Sequence, residues 1–321
     1  MSKMNEYQAT ELRYPSRDGK TKIFALLWGA EQSQARAVIQ ITHGMEEHIG
    51  RYQQFASYLT KQGFIVCGQD MLGHGRSVTS SKALSSIPAH EGKNILLEDA
   101  HSLRKIISTR YPDLPYIMFG HSMGSFLMRC YAARYGAGLA ALILCGTGYV
   151  SPLLSVSGMV LARILARIKG ENYRSKILIR LGTGAYSKEI KDPHTSYDWL
   201  AFNRNTVDAF IADQLCGVPF SASSYAVLTS LTYEASKLSL AKHIPSYIPV
   251  YLIAGTCDPV GDDGKGVMAC ARLLERAGVE KVDVKLYQNM RHEILNECDS
   301  AVVYSDVVKW TQDVMRKREA L

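Results

Sequence analysis

Gly120-His121-Ser122-Met123-Gly124 is the stretch of this chain whose residue types and spacing could do chemistry most directly. A serine hydroxyl is a weak nucleophile until a base takes its proton and a turn holds it clear of the fold. Here the apolar run Tyr116-Ile117-Met118-Phe119 enters the motif, and Phe126 to Tyr135 leaves it with a helical pattern. Strand, sharp turn, helix is the setting in which Gly-x-Ser-x-Gly forms a nucleophile elbow. Gly120 and Gly124 fall two residues either side of the serine, where strand and helix nearly touch. The chemistry expected of such a serine is acyl transfer.

An activated serine needs a base, an acid that orients the base, and donors for the charge that develops on the carbonyl oxygen. On a strand-turn-helix scaffold of this kind the chain order is serine, acid, histidine. Asp258 follows the apolar run Pro249 to Ala254, and His292 follows the run Val282 to Tyr287. Parallel strands end on one edge, so both would reach the edge that carries Ser122. The loop after Ala140 to Cys145 offers Gly146, Thr147 and Gly148 but no carboxylate, which favours Asp258 as the acid. Met123 N–H, next to the nucleophile, is one expected oxyanion donor. Met45 N–H, in the loop His43 to His48, is the other. Asp262 and Asp263 read as turn residues. His43, His48, His74 and Asp70 read as scaffolding of the same edge, and no metal or other cofactor is expected.

These residues require a scaffold, and the chain alternates in the way that provides one. Two extended stretches at 10–30, split by Ser16-Arg17-Asp18-Gly19, predict an antiparallel hairpin. Continuous apolar runs at 37–42, 64–70, 116–119, 140–145 and 249–254, with 282–287 last, alternate with helical patterns at 51–62, 97–111, 265–278 and 301–318. That predicts an α/β fold with a mostly parallel central sheet, helices on both faces and right-handed crossovers. Between 151 and 237 the alternation breaks into helical periodicity alone. Residues 1–150 and 238–321 are therefore expected to form the core, and 151–237 a helical cap over the edge where ligands bind open sheets.

The totals agree with an ordinary globular chain. Of 321 residues, 47% are apolar and 21% charged, enough apolar matter for a large core. The net charge of +7 comes without a long basic run or nucleic-acid motif, so a mild attraction to anionic membrane surfaces is expected rather than nucleic-acid binding. Seven irregularly spaced cysteines, without a Cys-x-x-Cys pair, indicate neither zinc nor a disulfide framework, and a cytoplasmic setting is expected. Met1 to Ala9 is polar and does not read as a signal peptide.

His43 to Tyr52, Asp70-Met71-Leu72-Gly73-His74-Gly75-Arg76-Ser77, Gly120 to Gly124 and Arg291-His292-Glu293 together resemble the monoacylglycerol lipase and lysophospholipase branch of the α/β-hydrolases. The resemblance covers most of 20–320 and is weakest in the cap. It implies an α/β-hydrolase fold, a triad of Ser122, Asp258 and His292, and oxyanion donors at Met45 and Met123. One departure is Glu46, where monoacylglycerol lipases often carry glycine. The expected activity is hydrolysis of single-acyl lipids or small carboxylic esters through an acyl-enzyme. Amide or peptide hydrolysis of aminopeptidase type, which needs cap carboxylates to hold a free amine, is the runner-up. A non-catalytic binding protein of the same fold is a third reading, and serine at the nucleophile position disfavours dehalogenase chemistry.

Within the cap, Val156, Val160, Leu161, Ile164, Leu165 and Ile168 share one helical face, with Arg163 and Arg167 opposite. Arg163, Arg167, Lys169, Arg174, Lys176 and Arg180 are opposed in that span only by Glu171. The pattern fits a cap helix packed over the pocket, or an interfacial helix resting on anionic lipid. Trp199, Phe202, Phe210 and Phe220 are candidate pocket lining. Oligomeric state is left open.

Overall fold

The computed structural model describes residues 8–319, so the polar segment Met1 to Ala9 lies largely outside the described residues. Eight strands form one sheet: β1 (Thr10–Pro15), β2 (Lys22–Trp28), β3 (Ala37–Thr42), β4 (Phe64–Gln69), β5 (Tyr116–His121), β6 (Leu139–Cys145), β7 (Val250–Gly255) and β8 (Val282–Tyr287). Their spatial order is β1-β2-β4-β3-β5-β6-β7-β8. β1 and β2 pair antiparallel as the expected hairpin, β2 runs antiparallel to β4, and every later pairing is parallel. β3 to β7 are buried at every residue, which is why they read as unbroken apolar runs. β8 lies at the sheet edge and is mostly half-buried, and its sequence alternates accordingly.

The helices are α1 (Gln53–Lys61), α2 (Gly92–Arg110), α3 (Met123–Tyr135), α4 (Pro152–Lys169), α5 (Lys176–Leu181), α6 (Thr183–Lys188), α7 (Arg204–Ala212), α8 (Ala222–Ala235), α9 (Leu238–Ala241), α10 (Lys265–Arg276) and α11 (Ser300–Glu319). Apolar faces of α1 and α11 close one side of the sheet, and those of α2, α3 and α10 close the other. α2 begins five residues before the expected Leu97, because its first turn is Gly92-Lys93-Asn94-Ile95, with little apolar periodicity to announce it.

Everything between β6 and β7 that is regular is helical. α4 lies on α8 through small residues. Ser155, Ala162 and Ala166 are its buried positions, Ser155 Oγ meets Thr232 Oγ1 at 3.0 Å, and a Cβ at Gly158 would come within 3.0 Å of Thr229. The seam is therefore made by the opposite side of the helix from Val160, Ile164 and Ile168. Those residues, with Leu153, point outward, and Leu153 and Ile168 are 79% and 70% exposed. Small side chains let the two backbones approach closely, and that fixes which side of α4 is turned in.

The elbow depends on a similar close approach. A Cβ on Gly124 would lie 2.2 Å from Thr42 O and 2.5 Å from His43 O, both backbone atoms at the end of β3. Gly124→Ala must force α3 away from the sheet, and it should lower stability by about 3 kcal/mol, as overpacking against rigid neighbours does. A urea unfolding curve displaced by less than about 0.5 kcal/mol would mean that α3 moves freely there.

Candidate active site

Ser122 sits between β5 and α3 with φ 52° and ψ −121°, a left-handed conformation rarely adopted by a residue with a side chain. Its N–H donates to Cys145 O at 2.9 Å, which pins the turn to the end of β6. As the first residue of α3, Met123 presents an N–H without an intrahelical acceptor. Across the gap, Gly44 packs against the serine: a Cβ there would meet Ser122 Cβ at 3.0 Å. Met45 and Glu46 follow on the same wall, and among the described residues Met45 N–H has no acceptor within the fold.

Asp258 and His292, the expected acid and base, follow the ends of β7 and β8. Cys257 N–H donates to Met290 O at 3.0 Å, tying the two loops together. His292 Nδ1 lies 3.0 Å from both carboxylate oxygens of Asp258, and Asp258 Oδ1 also accepts Val260 N–H at 2.9 Å. Both side chains are essentially buried. Burial alone would lower the His292 pKa. The Asp258 charge and its hydrogen bonds outweigh that, and the net shift is upward from 6.5. His292 and Ser122 line one cavity of about 20 Å³, room for a single water. Its other walls include Met45, Glu46, His121, Thr183, Trp199 and Phe210. The hydrogen bonds of the His292 ring run to Asp258 alone among the described residues. Ser122 and His292 share the cavity without a hydrogen bond between them.

The histidines of the neighbouring loops are held by the fold. His43 Nε2 accepts Met71 N–H at 2.9 Å, so Nδ1–H donates to Gly44 O at 2.7 Å; burial lowers its pKa to about 3. His74 is likewise held down to about 3 by burial, and its Nδ1–H donates to Leu72 O. Asp70 accepts Ile49 N–H and Arg76 N–H. His48 Nδ1 accepts Gly50 N–H, which leaves Nε2–H for Asp213 at 2.9 Å. Cys216 lies beside that pair, its thiol pushed up by burial, and the ligand atoms of the three residues lie within 4.8 Å of one another. Asp262 and Asp263 have φ of 48° and 50°, as turn residues do. Of the four candidate aromatics, Trp199 and Phe210 line the cavity. Phe220 is buried against His74, and Phe202 is half exposed.

A charge clamp connects the loops, and the sequence reading does not contain it. Arg51 is forked onto Glu293, with both N···O distances 2.6 Å, and also reaches Glu47 at 2.9 Å. Glu47 in turn accepts Gly44 N–H at 2.6 Å and the Tyr52 hydroxyl at 2.9 Å. Burial would raise the Glu47 pKa, but the Arg51 guanidinium overrides it and the net shift is downward. The guanidinium also lies 4.9 Å from the Phe210 ring of α7. Glu47 and Arg51 at i and i+4, and an acid directly after His292, were the only sequence signals of this clamp.

Glu46 has φ 58°, where glycine is the easier residue. Its carboxylate accepts Phe220 N–H and its carbonyl accepts Gly217 N–H, both at 2.9 Å, joining this loop to the segment before α8. Burial raises its pKa to about 7, against the Phe220 hydrogen bond and Arg174, which pull it down.

The profile of the family described as serine aminopeptidase, S33 (Hydrolase_4), matches residues 33–299. The chain belongs to this family. Its fold is that of the α/β-hydrolases. A monoacylglycerol lipase of Mycolicibacterium smegmatis is 28% identical over 300 residues, covering 91% of this chain and 93% of that one. The monoglyceride lipase of Homo sapiens is 23% identical over 278 residues, covering 86% and 82%. Among solved structures, a thermostable carboxyl esterase from Bacillus coagulans in complex with glycerol superposes with TM-score 0.88 at 31% identity, covering 96% of this chain and 99% of that chain. A lipase in an open form superposes with TM-score 0.85 at 29% identity, with the same coverage.

The Asp258–His292 pair makes a direct prediction. In a histidine-detected NMR titration, His292 should titrate above 6.5, and Asp258→Asn should lower that value, because burial is then opposed only by the weaker pull of Glu293 and Glu47. An unchanged titration in the variant would mean that other charges set it.

Proposed function

We propose that this protein is a serine carboxylic ester hydrolase of the monoacylglycerol lipase type, acting on single-acyl lipids or small esters without a metal or other cofactor. One observation carries the reading: Ser122, on a left-handed elbow, shares a cavity with an imidazole that Asp258 holds by both carboxylate oxygens. Ser122 Oγ attacks the ester carbonyl as His292 Nε2 takes its proton. Met45 and Met123 N–H receive the oxyanion. The tetrahedral intermediate collapses as His292 returns the proton to the departing alcohol oxygen, leaving an acyl-enzyme. Water, deprotonated by His292, then attacks the acyl carbon and releases the acid and Ser122. Asp258 holds the imidazole tautomer and stabilises its charged form throughout.

The cavity favours esters over free-amine peptides. An ammonium group needs an uncommitted carboxylate. Glu47 and Glu293 are both bonded to Arg51, and the Glu46 carboxyl already accepts Phe220 N–H. Glu171 and Asp208 lie exposed, Asp198 caps its own loop through Thr195, and Asp213 is bonded to His48, so none of the four lines this cavity. An intact elbow, base and acid likewise support catalysis over mere binding.

Residues 151–237 act as a cap on a core of 1–150 and 238–321. Pockets that hold drug-sized molecules run to roughly 300 Å³ or more, so a 20 Å³ cavity admits an acyl chain only if the cap moves. The outward row of α4 supports a role at lipid surfaces. Leu153, Val160, Ile164 and Ile168 are exposed and flanked by exposed Arg163 and Arg167, an apolar strip with a cationic border. Among the described residues no helix is long and apolar enough to cross a membrane. The setting we assign is cytoplasmic with peripheral membrane contact; buried free thiols at Cys67, Cys145 and Cys270 suit a reducing compartment.

A panel of monoacylglycerols, lysophospholipids, p-nitrophenyl esters and aminoacyl amides should show ester hydrolysis, with Ser122→Ala lowering turnover by roughly 10⁴-fold or more. Equal rates in the two proteins would discard Ser122 as nucleophile, and turnover of the amides alone would discard the substrate class. For the surface role, replacing both Ile164 and Ile168 by Glu should cut co-sedimentation with phosphatidylserine-containing vesicles by about tenfold or more. Hydrolysis of soluble p-nitrophenyl acetate should be kept. Vesicle binding indifferent to the substitutions would rule out α4 as the docking element.

A further inference from the structure

Trp199 carries a feature that the hydrolytic reading does not use. It lies between α6 and α7, is only 4% exposed, and lines the Ser122 cavity. Its ring is packed between Tyr186, at 5.1 Å, and His292, at 5.2 Å. Its indole N–H is buried and has no acceptor among the described residues. The other two tryptophans are satisfied: Trp28 Nε1 donates to Gln53 Oε1 at 2.7 Å, and Trp310 Nε1 to Asp283 Oδ2 at 2.6 Å. A buried donor without an acceptor is a net cost to the fold, and such groups are uncommon. The N–H is out of reach of solvent in this conformation, so an acceptor from outside the chain meets it only when the neighbouring cavity widens to admit substrate.

The proposed chemistry says which part of a substrate lies there. The carbonyl oxygen points to Met45 and Met123 N–H, and the departing alcohol oxygen must face His292 to receive its proton. The alcohol half of the ester therefore lies against whatever flanks His292, and Trp199 does so directly. An indole N–H is a donor only, so it selects an oxygen acceptor. Glu46 lines the same cavity, as do Glu47 and Glu293, which share the single Arg51 cation; acids outnumber the cation there, which makes a phosphate oxygen a poorer occupant than an uncharged hydroxyl. The position of Trp199 is also fixed to the base: Glu293 N–H, one residue after His292, donates to Leu200 O at 2.7 Å.

We propose that Trp199 is a specificity-determining residue for the alcohol half of the ester, its indole N–H donating to a hydroxyl of a polyol head group held beside His292. This rests on the ester-hydrolase reading above and deepens it. It assigns the enzyme a preference for esters whose alcohol carries a further hydroxyl, over simple alkyl esters of the same acid.

The test compares glyceryl, 2-hydroxyethyl and ethyl esters of one fatty acid, with wild type and Trp199→Phe, which keeps an aromatic ring and removes the donor. Wild type should prefer the two hydroxyl-bearing esters. The variant should lose that preference, its kcat/KM ratio of 2-hydroxyethyl to ethyl ester falling by about tenfold, the worth of one neutral hydrogen bond at its upper range. Equal loss on all three esters would assign the indole to packing or to a bound water and overturn the inference. So would a wild type that turns over the ethyl ester as readily as the others. A wild type that hydrolyses none of these esters would overturn the ester-hydrolase reading as well.

Discussion

One contact governs the reactive edge: the first turn of α3 lies directly on the ends of β3 and β5. Gly124 touches the Thr42 and His43 carbonyls, and Gly120 touches the Gly124 carbonyl. A helix cannot begin that close to a strand end unless the residue between them takes a backbone conformation that costs on the order of 1–3 kcal/mol. Ser122 takes it, and the bond from its N–H to Cys145 O holds it there. The same pinch sets the serine against Gly44. Parallel pairing then does the remaining work, because β7 and β8 must release Asp258 and His292 on the same edge.

Charge is handled at this edge by sharing. Glu47, Glu293 and Arg51 are all nearly buried, an arrangement that is costly unless each charge is paired and hydrogen-bonded. One guanidinium satisfies both acids. It thereby connects the loop holding Gly44 and Met45 to the loop holding His292, and stacks on Phe210 from the helical segment above. The Gly44 loop, the His292 loop and α7 are thus in contact through one cation.

Much of this was legible from sequence. β3 to β7 are buried at every position and largely apolar because both faces are covered, and Gly-x-Ser-x-Gly needs glycine where backbones collide. Asp258 and His292 announce themselves by following strands. What periodicity cannot show is which of two faces a helix turns inward when one is apolar and the other is small. α4 has both, and close backbone packing favoured Ser155, Gly158 and Ala162 over the larger residues. Nor can sequence reveal long-range pairing such as Arg51 with Glu293, separated by 242 positions, or a tryptophan whose donor lacks an acceptor. Glu46 was visible as a departure, but not the left-handed backbone and the bonds to Gly217 and Phe220 that explain how a long acidic side chain is accommodated there.

The seam between α4 and α8 has a mechanical consequence. Helices that interlock through large side chains resist sliding, because each ridge must climb out of its groove. Ser155, Gly158, Ala162 and Ala166 offer shallow ridges along the seam, with the Ser155–Thr232 hydroxyl pair as a catch and Leu161 and Leu165 packed at its margin. Such a boundary is a shear plane, on which translation along the axis costs far less than separation. Displacement of α4 along α8 would then keep the two helices in van der Waals contact while changing the height of its outer row, so the element could adjust to its surroundings without unpacking.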